Sequence, residues 1–206
     1  MTLLYLIRHG ENDWVGKRLP GWAPGLHLNV RGREQAERLA GELSSVEFRA
    51  VYSSPLERAV ETAEPIARLQ GLTLETRADL GEVRVGRWQG QPLRLLRLRA
   101  LWPTIQRAPS RARFPGGESF PEAQARLVAE IERILAEHRS PKASVAVVGH
   151  ADPIKLVIAH YLGLALDLFQ RLAIEPASVS ILQIGAGPSR LVRLNEPHAA
   201  FTPPPR

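Results

Sequence analysis

The sequence predicts a single-domain α/β protein with three layers, in which a mainly parallel mixed sheet carries helices on both faces. Three observations lead to this prediction. Short apolar segments alternate along the chain with helical stripes, polar residues follow the first strands, and 206 residues with 44% hydrophobic and 23% charged side chains suit one globular core. We expect this domain to cover residues 1–197 and a proline-rich, disordered tail to cover residues 198–206.

Short runs of apolar and β-branched residues predict the strands. Three of these runs, Leu3–Ile7, Ala50–Ser53 and Val145–Val148, have the composition of buried parallel strands. Near the C-terminus, residues 178–184 and 190–196 flank the turn sequence GAGPS, which predicts a hairpin. An antiparallel hairpin beside parallel strands makes the sheet mixed.

Apolar stripes and capping sequences predict the helices. Apolar residues recur at helical spacing over 36–43 and again over 127–135. The sequence SPLE at 54–57 has the form of a capping box with proline at the first helical position, and SFPE at 119–122 repeats the box. Asp152 before Pro153 predicts the N-cap of a further helix that runs toward Tyr161.

The segment 86–117 departs from this alternation. Four prolines lie in it among seven arginines: Arg87, Arg94, Arg97, Arg99, Arg107, Arg111 and Arg113. We predict a partly helical excursion from the sheet and not a second domain.

Composition and charge narrow the class of protein. The net charge is +6 and comes almost entirely from arginine, which suits an anionic partner but follows equally well from a GC-rich genome. The chain has no cysteine, so a disulfide framework, a thiolate nucleophile and a cysteine zinc site are excluded. The N-terminal apolar run is too short for a signal peptide, and no later run could span a bilayer, so we expect a soluble cytoplasmic protein without a membrane partner.

Polar residues at the strand ends form the candidate site. His9 follows the first strand, His150 follows the third, and Arg58 lies in the first turns of the helix after the second. If the strands are parallel, these side chains meet at the carboxyl edge of the sheet, together with Arg8 and converging helix N-termini. Arginine forks and imidazoles around one crevice suit a compact dianion such as a phosphoryl group. A neutral His9 could then attack phosphorus. Glu82 is the best candidate for donating a proton to the leaving oxygen, because phosphate oxygens nearby raise the pKa of a carboxyl group, although spacing alone does not single it out from the other carboxylates.

Five ordered blocks carry a family resemblance: LIRHGE at 6–11, SSPLERA at 53–59, LGE with GRWQG at 80–90, PGGES at 115–119 and VGH at 148–150. The chain resembles the histidine phosphatase superfamily, in its phosphoglycerate mutase-like branch. The resemblance implies that His9 is the phosphorylated nucleophile, that Arg8, Arg58 and His150 form the phosphate pocket, and that Glu82 is the proton donor. It also implies that no metal and no organic cofactor are needed.

Two positions depart from the family pattern. Asn12 stands where many members have Ser or Thr, and Asn12 could supply an amide to the pocket. After the second histidine the chain has Ala151 and Asp152, where a small residue is common in the family. We count Asn12 and Ala151 among the substrate-binding candidates, whereas Asp152 is explained as a helix cap.

Each candidate also has a purely structural interpretation. These are local hydrogen bonds for His9, a capped histidine at a loop for His150, a surface ion pair with Glu57 or Glu61 for Arg58, and a turn ion pair with Arg84 for Glu82. Trp88 is expected in the core or the pocket wall. The remaining histidines show no ligand spacing, so no metal site is predicted.

We therefore expect a metal-independent phosphatase that hydrolyses a small phosphorylated metabolite through a phosphohistidine on His9. One alternative is a phosphoglycerate mutase-type transfer, although such mutases carry a longer excursion before the second histidine. A second alternative is a non-catalytic phospholigand sensor. The arginine-rich excursion suggests a substrate with a second acidic group, bound by Arg94 and Arg97. We expect no nucleic-acid partner, because aromatic residues do not interleave the basic ones, and a homodimer is left open.

Overall fold

The computed structural model of the protein describes residues 1–138 and 143–197. The strands are β1 (Thr2–Arg8), β2 (Phe48–Ser53), β3 (Leu74–Thr76), β4 (Ser144–Gly149), β5 (Val179–Ile184) and β6 (Arg190–Glu196). Within the described residues they form one sheet in the order β3-β2-β4-β1-β5-β6. Strands β1 to β4 are parallel, and β5 runs antiparallel to both β1 and β6. The predicted mixed sheet, its buried parallel strands and its C-terminal hairpin are confirmed.

The α-helices of the described chain are α1 (Val30–Glu42), α2 (Glu57–Gln70), α3 (Leu93–Leu96), α4 (Trp102–Arg107), α5 (Phe120–Glu137) and α6 (Ala151–Leu162). The sheet separates two apolar clusters, as the alternation of side chains along β1 shows. Leu4 and Leu6 pack with apolar residues of α5 and α6, whereas Tyr5 and Ile7 pack with those of α1 and α2. The three-layer prediction is therefore confirmed.

The start of α5 confirms one predicted cap, whereas two others are wrong. The Ser119 hydroxyl accepts from the Glu122 N–H at 3.3 Å, and the Glu122 carboxylate accepts from the Ser119 N–H at 2.9 Å. Helix α2, by contrast, begins at Glu57, and its N-cap Leu56 has extended backbone with ψ 136°. The Ser54 hydroxyl instead accepts from the Leu56 N–H and lies 2.8 Å from His150. A contact with a distant side chain has replaced the local cap.

Asp152 does not cap its helix either. Helix α6 begins at Ala151 with His150 as its N-cap, so Asp152 is the second helical residue. Its carboxylate lies 3.4 Å from the Lys155 ammonium, one turn along the helix. The carboxylate is therefore engaged in an ion pair within the helix and, in the described structure, does not accept from the first backbone N–H groups.

The excursion over 86–117 is partly helical, as predicted. It contains α3, α4 and two short 3₁₀ turns, and it packs on the core through Trp88, Leu96, Ile105 and Phe114. The sequence did not predict β3, which is only three residues long and largely exposed. The tail 198–206 lies outside the described residues. None of the described helices combines the length and apolarity needed to cross a membrane.

Candidate active site

Strands β1 and β4 bring the two candidate histidines together. Arg8 at the end of β1 pairs in register with Gly149 at the end of β4, so the residues that follow are neighbours. The His9 N–H donates to the Gly149 carbonyl at 2.9 Å. The rings of His9 and His150 meet edge to face, with their centroids 5.2 Å apart. The expected meeting of strand ends thus occurs at the carboxyl edge of the sheet.

His9 has one defined protonation pattern. Its Nδ1 lies 2.7 Å from the Gly10 carbonyl oxygen, and a carbonyl can only accept, so Nδ1 carries the proton. Burial, followed by the charges of Arg58 and Arg8, holds the pKa of His9 well below its usual range. The imidazole is therefore neutral at physiological pH, with the lone pair on Nε2.

A close packing of glycines supports the His9 turn. A side chain at Gly10 would place Cβ 2.6 Å from the Gly32 carbonyl oxygen, so helix α1 can approach only if this residue is glycine. The Gly10 N–H donates to the Thr62 hydroxyl at 3.0 Å, and that hydroxyl donates to the Arg58 carbonyl at 2.7 Å. Thr62, one turn after Arg58, thus links the His9 turn to helix α2. Sequence reasoning did not assign it this role.

Arg8 and Arg58 bring positive charge to the crevice, and no carboxylate of the described residues lies within ion-pair distance of either. Arg58 is fully buried, and its Nη2 donates to the Gly21 carbonyl at 2.9 Å. Arg8 donates through Nη1 to the Ile174 carbonyl at 2.7 Å. Among residues 1–138 and 143–197, no partner accepts from Arg58 Nε and Nη1 or from Arg8 Nε. Burial lowers the pKa of both guanidinium groups, but arginine stays charged, so the crevice suits an anion.

The surface ion pair considered for Arg58 is absent from the described part of the chain. The Glu57 carboxylate accepts from the Gly25 N–H at 2.9 Å, and the Glu61 carboxylate accepts from the Leu28 N–H at 2.8 Å. Both acids therefore fasten the loop before α1 to helix α2. Arg58 points the other way, into the buried crevice.

His150 is completely buried at the N-terminus of α6. Its Nε2 lies 2.8 Å from the Ser54 hydroxyl, while its Nδ1 has no hydrogen-bond partner within the described structure. Burial, followed by Arg58 and His9, holds the pKa of His150 well below its usual range. Ala151 is the first residue of α6, where backbone N–H groups lack intrahelical acceptors.

Glu82 lies half-buried in the same crevice. Burial and then the negative charge of Asp152 raise the pKa of Glu82 to about 7, against the opposing charges of Arg58 and Arg8. The turn ion pair considered for Glu82 is wrong, because the Arg84 guanidinium instead stacks on the Trp22 ring, 4.8 Å from its centroid. A carboxyl group that titrates near neutral pH can either donate or accept a proton.

Asn12 is buried near the His9 turn. Its side-chain oxygen accepts from the Trp14 N–H at 2.9 Å, which stabilises the following loop. Its amide nitrogen is the group that could reach a ligand. In the described segments, no three histidine, cysteine or carboxylate side chains are grouped as metal ligands.

A cationic cavity lies between the loop at 16–18 and the excursion. Lys17, Arg18, Arg94 and Arg97 line this space of about 390 Å³, together with Gly16, Pro92 and Leu93. Backbone contacts frame it, since the Leu93 N–H donates to the Lys17 carbonyl at 2.9 Å. Nowhere in the described chain does any of these four cations have a carboxylate within ion-pair distance.

The sequence profile of the histidine phosphatase superfamily (branch 1) matches residues 4–197. The chain belongs to this superfamily. Phosphoserine phosphatase 1 of Hydrogenobacter thermophilus is 30% identical over 201 residues, which cover 95% of this chain and 92% of that protein. The bifunctional protein Rv2228c of Mycobacterium tuberculosis is 32% identical over 197 residues, which cover 94% of this chain and 53% of that protein.

Solved structures of the histidine phosphatase superfamily have the same fold. YhfR of Bacillus stearothermophilus superposes with a TM-score of 0.88 at 28% identity, over 95% of this chain and 98% of that one. The mycobacterial glucosyl-3-phosphoglycerate phosphatase Rv2419c gives 0.85 at 25% identity, over 94% and 98%. Superfamily membership, with these phosphatase-named relatives, identifies the chain as a phosphomonoesterase enzyme.

Proposed function

We propose that the protein is a metal-independent phosphatase that hydrolyses a small phosphorylated metabolite through a phosphohistidine on His9. One observation carries the proposal: a neutral His9 has its proton fixed on Nδ1, and its ring lies beside two cations, the buried Arg58 and the half-buried Arg8. An unprotonated Nε2 is a nucleophile, and the guanidinium groups supply the charge that stabilises a transferring phosphoryl group.

In the first step, His9 Nε2 attacks phosphorus, and the bond between phosphorus and the ester oxygen breaks. The electron pair stays on that oxygen, which takes the proton of the Glu82 carboxyl and leaves as an alcohol. The guanidinium nitrogens of Arg58 and Arg8 that have no partner in the described structure donate to the phosphoryl oxygens, together with Nδ1 of His150. Asn12 and the Ala151 N–H complete this pocket.

In the second step, water attacks the phosphohistidine, and the Glu82 carboxylate takes the proton of that water. The bond between phosphorus and Nε2 breaks, inorganic phosphate leaves, and His9 and Glu82 return to their starting protonation states. A carboxyl pKa of about 7 suits both roles, since each form is well populated near neutral pH.

The substrate carries a second acidic group in this proposal. The four cations around the excursion cavity support it, and so do the names of two relatives, which act on phosphoserine and on a glucosylated phosphoglycerate. Replacing both Arg94 and Arg97 with alanine should raise KM for phosphoserine more than for a neutral aryl phosphate. The paired change of Arg107 and Arg111 removes equal charge from the excursion without touching the cavity. Equal effects on both substrates would contradict the assignment.

The test of the function is phosphate release in EDTA from phosphoserine, phosphoglycerates, sugar phosphates and an aryl phosphate. The wild type should release phosphate, and His9→Ala should not. Brief reaction with ³²P-labelled substrate and alkaline quenching should label the wild type alone, since phosphohistidine survives in base. Interconversion of phosphoglycerates without release would favour the mutase alternative, and binding without turnover would favour the sensor. A cytoplasmic location and a homodimer stay predictions.

A further inference from the structure

The turn that carries Glu82 is held mainly by side chains. Glu82 follows a short 3₁₀ turn, Ala78–Leu80, and lies outside every strand of the described sheet. A Cβ at the preceding Gly81 would lie 2.1 Å from the Trp22 ring, so the indole packs directly on the backbone there. The Trp22 Nε1–H donates to the Glu82 carbonyl at 2.6 Å. The position of a general acid on such a segment depends on the groups that bind the backbone carbonyls of the segment.

Arg126 of helix α5 binds three of those carbonyl groups. Its Nη1 donates to Asp79 O at 2.7 Å and to Gly81 O at 3.1 Å, and its Nη2 donates to Glu82 O at 3.3 Å. The fixed fork of a guanidinium group allows it to hold several acceptors in one geometry. This arginine therefore fixes the curve of the chain on the N-terminal side of Glu82.

Glu118 holds Arg126 and the C-terminal side of the same turn. Its carboxylate accepts from Arg126 Nη2 at 2.6 Å and from Nε at 3.3 Å, and both side chains are 11% exposed. The same carboxylate accepts from the Arg84 N–H at 2.8 Å, while the Glu118 N–H donates to the Arg84 carbonyl at 2.8 Å. The pair thus binds the chain on both sides of Glu82.

We propose that Arg126 and Glu118 are positioning residues that hold the Glu82 carboxyl in place for proton transfer, an inference that rests on the proposed function. The Val83 N–H donates to the Glu82 carboxylate at 2.8 Å, so the orientation of the carboxyl follows the backbone that the pair fixes. Among the described residues, no hydrogen bond or ion pair joins either side chain to the phosphate pocket. Loss of the pair should therefore impair protonation of the leaving group and leave phosphate binding intact.

The test compares an alkyl phosphate, whose poor leaving group needs a general acid, with an aryl phosphate, whose good leaving group needs little help. A positioned general acid contributes about 10²–10⁴-fold, so Arg126→Met should lower kcat/KM for the alkyl substrate about 10- to 100-fold. The aryl rate and inhibition by inorganic phosphate should change about threefold or less, because the nucleophile and the pocket remain. Arg126→Lys should recover part of the loss, and Glu118→Gln should resemble Arg126→Met.

Arg133 provides the matched control. It lies on the same helix and donates to the Asp79 carboxylate at 2.9 Å, but it does not reach residues 81–84 within the described contacts. Arg133→Met should leave the ratio of alkyl to aryl rates unchanged. Thermal unfolding of every variant checks that the fold persists, and Arg126→Lys or Glu118→Gln decides the question if Arg126→Met does not fold.

A Glu82→Gln variant separates failure of this inference from failure of the proposed function. If Glu82→Gln leaves the alkyl-to-aryl ratio unchanged, Glu82 is not the acid, and both its assignment and the positioning role are wrong. Phosphate release and labelling at His9 still test the phosphatase itself. If Glu82→Gln lowers the ratio and the Arg126 variants do not, the positioning role alone is wrong. In the expected result, adding Arg126→Met to Glu82→Gln lowers the ratio no further, because both changes remove one function.

Discussion

The protonation state of Glu82 predicts the pH dependence of the reaction. In the proposed reaction the carboxyl must be protonated to serve the leaving oxygen, and its pKa is raised to about 7. About 90% of the molecules carry this proton at pH 6 and about 10% at pH 8. Since His9 titrates well below its usual range, it stays a competent nucleophile across this interval. We therefore expect the titration of Glu82 to lower kcat/KM for an alkyl phosphate about tenfold between pH 6 and pH 8.

Two variants test the cause of this fall in kcat/KM, the descending limb of the pH profile. Glu82→Gln should lower kcat/KM at pH 6 by about 10²-fold or more and remove the limb, because glutamine has no proton to titrate. Asp152→Asn should move the limb toward lower pH, since the Asp152 charge is the second cause of the raised pKa. The substrate also ionises near pH 6, but that effect is common to all variants and cancels in their ratios.

The assay is steady-state phosphate release at half-unit steps from pH 5 to 9 at constant ionic strength. Glu75→Gln removes an exposed carboxylate at the far edge of the sheet, and its profile should match that of the wild type. A limb that stays at the same pH in Asp152→Asn would refute the electrostatic argument. A limb that persists in Glu82→Gln would refute the choice of acid.

Three further predictions concern stability. Gly32→Ala would place Cβ 2.0 Å from the Glu11 carbonyl oxygen, so it should lower the unfolding free energy by about 2–4 kcal/mol. Gly41→Ala on the same helix has open space and should be neutral or stabilising by up to about 1 kcal/mol. Denaturant titrations measure both effects. Thr62→Val leaves the buried Gly10 N–H without its acceptor and should cost about 1–3 kcal/mol, and recovery in Thr62→Ser would identify the hydroxyl as the cause. Below pH 6.5 the unfolded chain protonates His9 and His150 while the folded protein does not, so each histidine lowers the unfolding free energy by up to about 1.4 kcal/mol for every unit by which the pH falls. The raised pKa of Glu82 has the opposite effect. His9→Asn should make the unfolding free energy fall less steeply toward low pH, and an unchanged slope would contradict the burial argument.

The pattern of the sequence was sufficient for the layers and for the location of the site. Apolar runs such as Leu3–Ile7 need burial on both faces, and parallel strands must end at one edge, so His9 and His150 were predictable neighbours. The Ser119 capping box also formed, because its partner is three residues away in the same turn. Sequence spacing predicts a hydrogen bond correctly where both partners lie in the same turn and no distant group competes for them.

Tertiary structure decided the contacts that join distant parts of the chain. Ser54 has the sequence of a helix cap, yet its hydroxyl lies against His150, 96 residues away, and helix α2 begins later than its capping signal indicates. Nothing in the sequence near Glu82 indicates Trp22 or Arg126, which are 60 and 44 residues distant and hold its backbone. The physical reason is that burial makes every polar group find a partner, and only packing determines which distant group is within reach. The sequence by itself determined the longer strands, the main helices and the residue types at the strand ends, whereas the folded chain decided the orientation, the charge state and the support of the side chains that carry the proposed chemistry.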